Sequence, residues 1–211
     1  MNEISWIILF ILGLFIAIIA VDGMIIGIPK WIVIHKKDVY AKTYQWDGES
    51  TTAYQKSTEC AGFSLAYVLR SYGIPVTGEE VYASIRGKMR NGAVMPRIFL
   101  RTIKNYGLQA RYVKGNLKTL KYDLSQGRRV IVFIRTRLDK NWLHYVPVVG
   151  YDEEHVFIAE SMPSLENCRE KNYNRKMTNA EFLKYWNTGW FYMPFYKYTY
   201  LVMEKTKDEV V

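Results

Sequence analysis

The chain has 211 residues, of which 49% are hydrophobic and 15% aromatic, and this composition excludes a disordered or collagen-like protein. Two cysteines are too few for a disulfide-dense scaffold or a cysteine-rich metal site. The net charge of +9 comes from basic residues scattered along the chain, a pattern typical of a solvated surface. Because phosphate-loop, zinc-finger and RNA-binding signatures are absent from the sequence, we expect no nucleic acid partner and no cofactor.

The amino-terminal sequence predicts a membrane anchor. Eighteen uncharged residues from Ile4 to Val21 reach the length that a helix needs to cross a bilayer, and apolar residues continue after a short interruption to Ile34. We therefore predict that residues 1–35 form a single-pass anchor in the lipid bilayer of the cell membrane and its juxtamembrane segment. A cleaved signal peptide is the alternative, but the run lacks a preceding basic segment and a clear small-residue cleavage site.

The charges near this run predict its orientation. Lys30, Lys36 and Lys37 all follow the apolar run, and no positive side chain precedes it. Under the positive-inside rule this asymmetry favours a cytoplasmic location for the rest of the chain, with export as the alternative. The mixed polar residues 36–53 predict a linker, residues 54–205 a globular domain, and residues 206–211 a tail.

Helices are predicted in the first half of the globular domain. Apolar residues recur at helical spacing from Cys60 to a stop at Gly73. Thr77 and Glu80 match a capping box that opens a second helix, and a third begins at Pro96.

The second half changes to short strands with two further helices. The pattern predicts strands at Leu108–Val113, Val130–Ile134, Leu143–Val149, Val156–Ala159 and Phe195–Met203, and helices at Leu117–Ser125 and after a second capping box at Thr178 and Glu181. The strands before and after Gly150 predict a hairpin, whereas Asn167–Lys176 predicts an irregular basic stretch. Helices first and strands later favour an α+β domain, in which a helical layer packs on an antiparallel sheet.

One cysteine and one histidine occupy positions in the sequence that suit a nucleophile and its base. Cys60 begins an apolar helix, where free backbone N–H groups and the helix dipole favour the reactive thiolate. Of three histidines, only His144 begins a strand within the domain, and Glu160 ends the returning strand of the same hairpin. Antiparallel pairing would bring His144 beside Glu160, which predicts a base with an orienting acid. Gln55, just upstream of the cysteine, can donate an N–H to a developing oxyanion.

The stretches QKSTECAGFSLAYVLRSYG and HYVPVVGYDEEHVFIAES together resemble papain-like cysteine peptidases, and within them the bacteriocin-processing branch that cuts leaders after double glycine. The resemblance covers about residues 54–160. It implies a papain-like fold and a peptide or protein substrate. It also implies that Cys60 is the nucleophile, His144 the general base and then acid, Glu160 the orienting acid, and Gln55 with the Cys60 backbone N–H the oxyanion hole.

The sequence departs from the family pattern at three places. Ala61 stands where the family usually has glycine, Glu160 replaces a shorter aspartate or asparagine, and Gln55 lies one residue closer to the cysteine. The ATPase phosphate-loop motif of transporters that carry such a peptidase is also missing from the sequence.

These departures leave alternatives beside a peptide-hydrolysing enzyme. An acyl transferase or amidase would use the same thioester on the same scaffold. A membrane-anchored binding protein would keep the papain-like shape without catalysis. A structural membrane protein would leave the order of Gln55, Cys60, His144 and Glu160 unexplained, and it is the least favoured reading.

Overall fold

The computed structural model describes residues 3–32, 39–47, 50–190 and 193–205. Within these ranges the helices are α1 Glu3–Ile26, α2 Cys60–Ser71, α3 Gly78–Ser84, α4 Pro96–Asn105, α5 Leu117–Ser125 and α6 Asn179–Trp186. The strands are β1 Lys30–Trp31, β2 Tyr44–Gln45, β3 Leu108–Lys114, β4 Arg129–Arg135, β5 Leu143–Tyr151, β6 His155–Ile158, β7 Arg175–Thr178 and β8 Thr199–Lys205. Lys36 and Lys37, on which the predicted orientation depends, and the predicted tail 206–211 lie outside the described residues.

The eight strands form one sheet in the order β1-β3-β8-β4-β5-β6-β7, and β2 pairs with β5 outside this path. Only the β1–β3 pair is parallel among the described pairs. β4 and β5 are buried almost throughout, because helices pack on the centre of the sheet. This is the mixed α+β architecture, with helices packed on a largely antiparallel sheet, that the sequence pattern predicts.

The helix that begins at Cys60 is held tightly by its neighbours. Its interior is buried from Ala61 to Leu69. A Cβ atom on Gly62 would lie 2.4 Å from Tyr82 Cβ and 2.5 Å from Gly78 O, so the glycine permits close packing of α2 on α3. The predicted capping box of α3 is present, because Thr77 Oγ1 accepts from Glu80 N and Thr77 N donates to Glu80 Oε2. These contacts fix the position of the α2 amino terminus.

Three predicted elements differ from the structure. A 3-10 turn, Pro194–Tyr196, occupies the start of the strand predicted at Phe195, and β8 begins only at Thr199 because Tyr198 has a left-handed φ of +54°. β7 forms within and beyond the stretch predicted to be irregular, where it pairs with β6. β2 lies within the predicted linker 36–53 and pairs Tyr44 with Tyr151.

The amino-terminal apolar run forms one continuous helix. α1 continues without a break through Asp22 and Gly23, and it is long and apolar enough to cross a membrane by length and composition. Most of its side chains are exposed, whereas Asp22 and Ile26 near its end are buried. The end of α1 packs on α4 and on the turn Pro194–Tyr196.

Candidate active site

Cys60 occupies the first position of α2 and faces a cleft. The helix is attached to the strand that carries the histidine, because Ser64 Oγ donates a hydrogen bond of 2.8 Å to Tyr145 O. Cys60 is half-buried and lines the cleft, whereas Ala61 immediately after it is buried in the core. Cys60 therefore lies at the end of α2 that has free backbone N–H groups, on the side of the helix that faces the cleft.

His144 stands at the second position of β5 and connects Cys60 with Glu160. Its side chain is 2% exposed, and Nε2 lies 2.6 Å from Glu160 Oε1. Because Nε2 is bonded to Glu160, Nδ1 is the ring nitrogen that is left to interact with Cys60. Burial lowers the pKa of His144, but the charge of Glu160 and the hydrogen bond with Cys60 outweigh burial and raise this pKa to about 10. The raised pKa favours the protonated form of the imidazole.

The pairing of β5 with β6 explains why a glutamate can orient the histidine. Val148 pairs with Ile158, and Ala159 N donates to Pro147 O at 3.1 Å, which continues the same register. This register places Glu160 opposite Val146, two residues along the strand from His144. A side chain must reach diagonally to contact such a neighbour, across about 7–8 Å between the Cα positions. The extra methylene of glutamate supplies that reach.

The buried carboxylate of Glu160 is held from several sides. Its Oε2 accepts a hydrogen bond of 2.9 Å from Arg175 Nη1, and its Oε1 accepts one of 2.9 Å from Met162 N. Asn174 fixes the Glu160 backbone, since Oδ1 accepts from Glu160 N at 2.7 Å and Nδ2 donates to Glu160 O at 2.9 Å. Burial raises the pKa of the Glu160 carboxyl, but His144 and Arg175 outweigh burial and hold it below its ordinary value.

Gln55 lines the same cleft as Cys60 and His144. Its backbone N donates to Ser161 O at 3.0 Å, and Ser161 Oγ donates to Gln55 Oε1 at 2.7 Å. The residue after Glu160 therefore holds the glutamine at the cleft. Nε2 of Gln55 donates to the carbonyl oxygen of Ser57. In this arrangement one of the two N–H groups of the donor predicted for the oxyanion is bonded within its own loop.

The cleft has a volume of about 590 Å³. Trp142 and Tyr145 line it, as do Met95, Met193 and Tyr196. Trp142 is 62% exposed at its rim, whereas Tyr145 is buried and donates from its hydroxyl to Val94 O. A cleft of this size, apolar with polar groups at one end, is typical of a site that binds an extended peptide or small ligand.

Sequence reasoning missed the supporting residues of the acid. Arg175 and Asn174 fall in the stretch predicted to be irregular, so the sequence did not indicate that they approach Glu160. No sequence signal pointed to them, because the alternating burial from Arg175 to Thr178 along β7 and the pairing of Ile158 with Arg175 are seen only in the structure. This pairing puts the guanidinium beside the end of β6.

Comparisons with solved structures identify the fold. A double glycine motif protease from an AMS/PCAT transporter, solved with its leader peptide, is 20% identical and has a TM-score of 0.52, covering 78% of this chain and 99% of that one. A C39-like peptidase from Bacillus anthracis is 14% identical with a TM-score of 0.58, covering 79% and 99%. The peptidase domain of Streptococcus ComA, a bifunctional ABC transporter, is 14% identical with a TM-score of 0.56, covering 75% and 99%.

A family model assigns the chain more directly. The model of the Peptidase C39 family matches residues 49–193, more than half of the chain, and this range contains Cys60, His144 and Glu160. A comparison with curated proteins gives no significant match. The chain is a cysteine peptidase that belongs to the Peptidase C39 family.

Proposed function

We propose that this chain is a membrane-anchored peptidase that hydrolyses peptide bonds with Cys60 as nucleophile, His144 as acid and base, and Glu160 as the orienting carboxylate. The observation that supports this assignment is that Cys60 and His144 line one cleft, while His144 Nε2 lies 2.6 Å from Glu160 Oε1. A nucleophile, a base and a group that fixes the base are what thiol hydrolysis requires.

The proton positions define the reaction steps. The raised pKa of His144 keeps the imidazole protonated, which favours the thiolate of the neighbouring Cys60. The thiolate forms a bond to the peptide carbonyl carbon, and His144 passes its proton to the leaving amine as the C–N bond breaks. Water then attacks the resulting thioester while His144 accepts its proton. Release of the carboxylic acid breaks the C–S bond and restores the cysteine.

In each tetrahedral intermediate the former carbonyl oxygen becomes an oxyanion, and this oxygen requires hydrogen-bond donors. The Cys60 backbone N–H and Gln55 Nε2 are the proposed donors. Nε2 of Gln55 carries two N–H groups, so one can donate to the oxyanion while the other keeps its bond to Ser57 O. Ser161 O continues to hold the Gln55 backbone.

We extend the leader-peptide substrate of the double glycine motif protease to this chain, and propose cleavage after a pair of glycines. The helix α1 is proposed as the anchor that keeps the peptidase at the bilayer, with the catalytic part in the cytoplasm. An anchor of this kind raises the local concentration of substrates that also reside at the membrane.

The experiment that tests this function uses the full chain in lipid vesicles and a short peptide that ends in Gly-Gly joined to a fluorescent amine. We expect release of the amine by the wild-type protein and none by Cys60→Ala, whereas Cys168→Ser remains active. Mass spectrometry of an unlabelled Gly-Gly peptide identifies the bond that is cut. Hydrolysis undiminished in Cys60→Ala would overturn the proposal, and an amide product in the presence of an added amine would instead indicate an acyl transferase.

A further inference from the structure

A second cavity, of about 460 Å³, lies beside the catalytic cleft and beneath the anchor helix. Its helix wall is formed by residues of α1, namely Ala17, Ile18, Val21, Asp22, Ile25 and Ile26. Its opposite wall is formed by Met95, Met193 and Tyr196, and the same three residues line the cleft of Cys60. The two cavities are therefore separated by a single row of side chains.

The length of the apolar run places this cavity relative to the bilayer. The 18 uncharged residues from Ile4 to Val21 span about 27 Å of helix, close to the roughly 30 Å of bilayer hydrocarbon. Asp22 is the first charged residue after the run, so with α1 placed across the bilayer as proposed above it lies at the membrane surface. In the same placement Ala17 to Val21 fall just inside the hydrocarbon, and Met95, Met193 and Tyr196, which line the same cavity, fall at its boundary.

Two polar contacts hold the catalytic part against this end of the helix. Asp22 Oδ2 accepts a hydrogen bond of 3.4 Å from Phe195 N, in the turn that also carries Tyr196. Arg97 Nη1, on α4, donates a hydrogen bond of 2.7 Å to Met24 O. Both contacts are made outside the uncharged run, so they attach the cleft to the bilayer surface without burying a charge in the hydrocarbon.

We propose that these two cavities form one substrate path, in which the groove under α1 binds the apolar, bilayer-inserted segment of a peptide whose scissile bond reaches Cys60. This inference rests on the proposed function and specifies its substrate class: membrane-inserted peptides that are cut at the bilayer surface. The groove is apolar apart from Asp22, which is already engaged by Phe195 N. The apolar side chains of a bound segment can therefore pack against this lining without facing an unpaired charge.

The free energy that binds an apolar segment in this groove must come from close packing and not from transfer out of water. An apolar segment that moves from lipid into the groove gains little hydrophobic free energy, because lipid tails are equally apolar. The gain comes from close contacts and from holding the scissile bond near Cys60. A large side chain in the groove should therefore reduce the cleavage of inserted peptides more than the cleavage of short soluble ones.

The first test measures binding without catalysis. Two variants of the full chain, both carrying Cys60→Ala, are placed in vesicles of phosphatidylglycerol and phosphatidylethanolamine. One variant carries the photocrosslinking residue benzoylphenylalanine at position 18, and the other carries it at position 20. Ile18 lines the groove, whereas Ala20 is exposed and does not line it. The probe is a peptide with an apolar membrane segment next to Gly-Gly. We expect a higher yield of photocrosslinks from position 18 than from position 20. Equal yields would overturn the proposal that the peptide binds in the groove.

The second test compares rates. The quantity is the ratio of kcat/KM for the membrane-inserted peptide to kcat/KM for the short soluble Gly-Gly peptide. We expect Ala17→Trp, which fills the groove, to lower this ratio about tenfold, the equivalent of about 1.4 kcal/mol of lost close contacts. Ala20→Trp is the matched control and should leave the ratio unchanged. An unchanged ratio in Ala17→Trp would show that lipid, not substrate, occupies the groove.

These outcomes test the role of the groove and the catalytic assignment separately. If both peptides are cleaved and Ala17→Trp leaves the kcat/KM ratio unchanged, the proposed peptidase function stands and the groove does not bind substrate. Crosslinks at position 18 without hydrolysis of either peptide would support the groove and refute the catalytic assignment.

Discussion

Arg175 holds the oxygen of Glu160 that faces away from His144. Its Nη1 lies 2.9 Å from Oε2, and the two side chains are 6% and 0% exposed. The other oxygen, Oε1, lies 2.6 Å from His144 Nε2. One carboxylate is therefore shared by two cations, and the guanidinium also lies 5.6 Å from the ring centre of Tyr185. This arrangement keeps Glu160 ionised and fixed in a buried position.

Replacement of Arg175 should shift the pH dependence of the peptidase. Arg175→Met removes a cation that lowers the pKa of Glu160, so protonation of the carboxyl should begin at higher pH. We expect the acidic limb of the kcat/KM profile to move up by about one pH unit, the usual effect of a neighbouring opposite charge. Arg175→Lys keeps the charge and should restore much of the shift. Superimposable profiles for wild type and Arg175→Met would refute this role.

The reactivity of Cys60 should depend on His144. In a Cys168→Ser background, we expect His144→Ala to slow the alkylation of Cys60 by iodoacetamide at pH 7 about tenfold or more, because the imidazolium no longer favours the thiolate. In the unmodified background Cys168 is a slow internal reference, since burial and Glu170 raise the pKa of its thiol. Equal alkylation rates with and without His144 would show that the two side chains do not act together.

The ion pair of Glu160 with His144 should stabilise the fold in a defined pH window. Because the pKa of His144 is raised in the folded protein, its contribution to the free energy of unfolding is complete below about pH 6.5. This contribution is lost as the pH rises toward about 10. The lowered pKa of Glu160 means that its contribution is present above the ordinary glutamate value and is lost as pH falls. Glu160→Gln should therefore lower the free energy of unfolding most at about pH 5–6.5, by about 3–5 kcal/mol.

Urea denaturation of wild type and Glu160→Gln from pH 4 to 10 measures this window. The difference in unfolding free energy should narrow at both ends of the range. A difference that stays constant over the whole range would mean that the pair does not titrate as described.

Gln55 should contribute to the rate more than to substrate binding. Loss of an oxyanion donor costs about 10²–10³ in kcat, so Gln55→Ala should lower kcat by about this factor with little change in KM. Ser57→Ala is the matched control, because it retains the carbonyl that accepts from Gln55 Nε2. A change in kcat below threefold, roughly 0.6 kcal/mol, would mean that Gln55 does not donate to the oxyanion.

The close packing of α2 on α3 should be sensitive to one methyl group. Gly62→Ala would place a Cβ atom within 2.5 Å of Gly78 O, which belongs to rigid backbone. We expect the free energy of unfolding to fall by about 1–3 kcal/mol, the usual cost of overpacking. Gly13→Ala is the control, because nothing lies within 4 Å of its Cβ position. Unchanged thermal stability of Gly62→Ala would show that the two helices separate easily.

The sequence alone was sufficient where a local signal existed. Apolar periodicity located the helix that begins at Cys60, the capping box at Thr77 located α3, and Gly150 between two apolar runs located the hairpin of β5 and β6. The approach of His144 to Glu160 followed from antiparallel pairing across that hairpin. The assignments of Cys60, His144, Glu160 and Gln55 as reacting groups remain predictions that the experiments above test.

Tertiary structure decided the features that depend on contacts between distant segments. Nothing in the stretch that contains Arg175 and Asn174 predicts that it becomes a strand edge beside Glu160. Sequence spacing also could not place the end of α1, at Ile26, against the turn that carries Tyr196, 170 residues later. Local propensity and hydrophobic period act over a few residues, whereas these contacts arise only when the whole sheet has formed. The sequence by itself thus determined the elements and the order of the reacting groups, and the tertiary structure decided what surrounds and supports them.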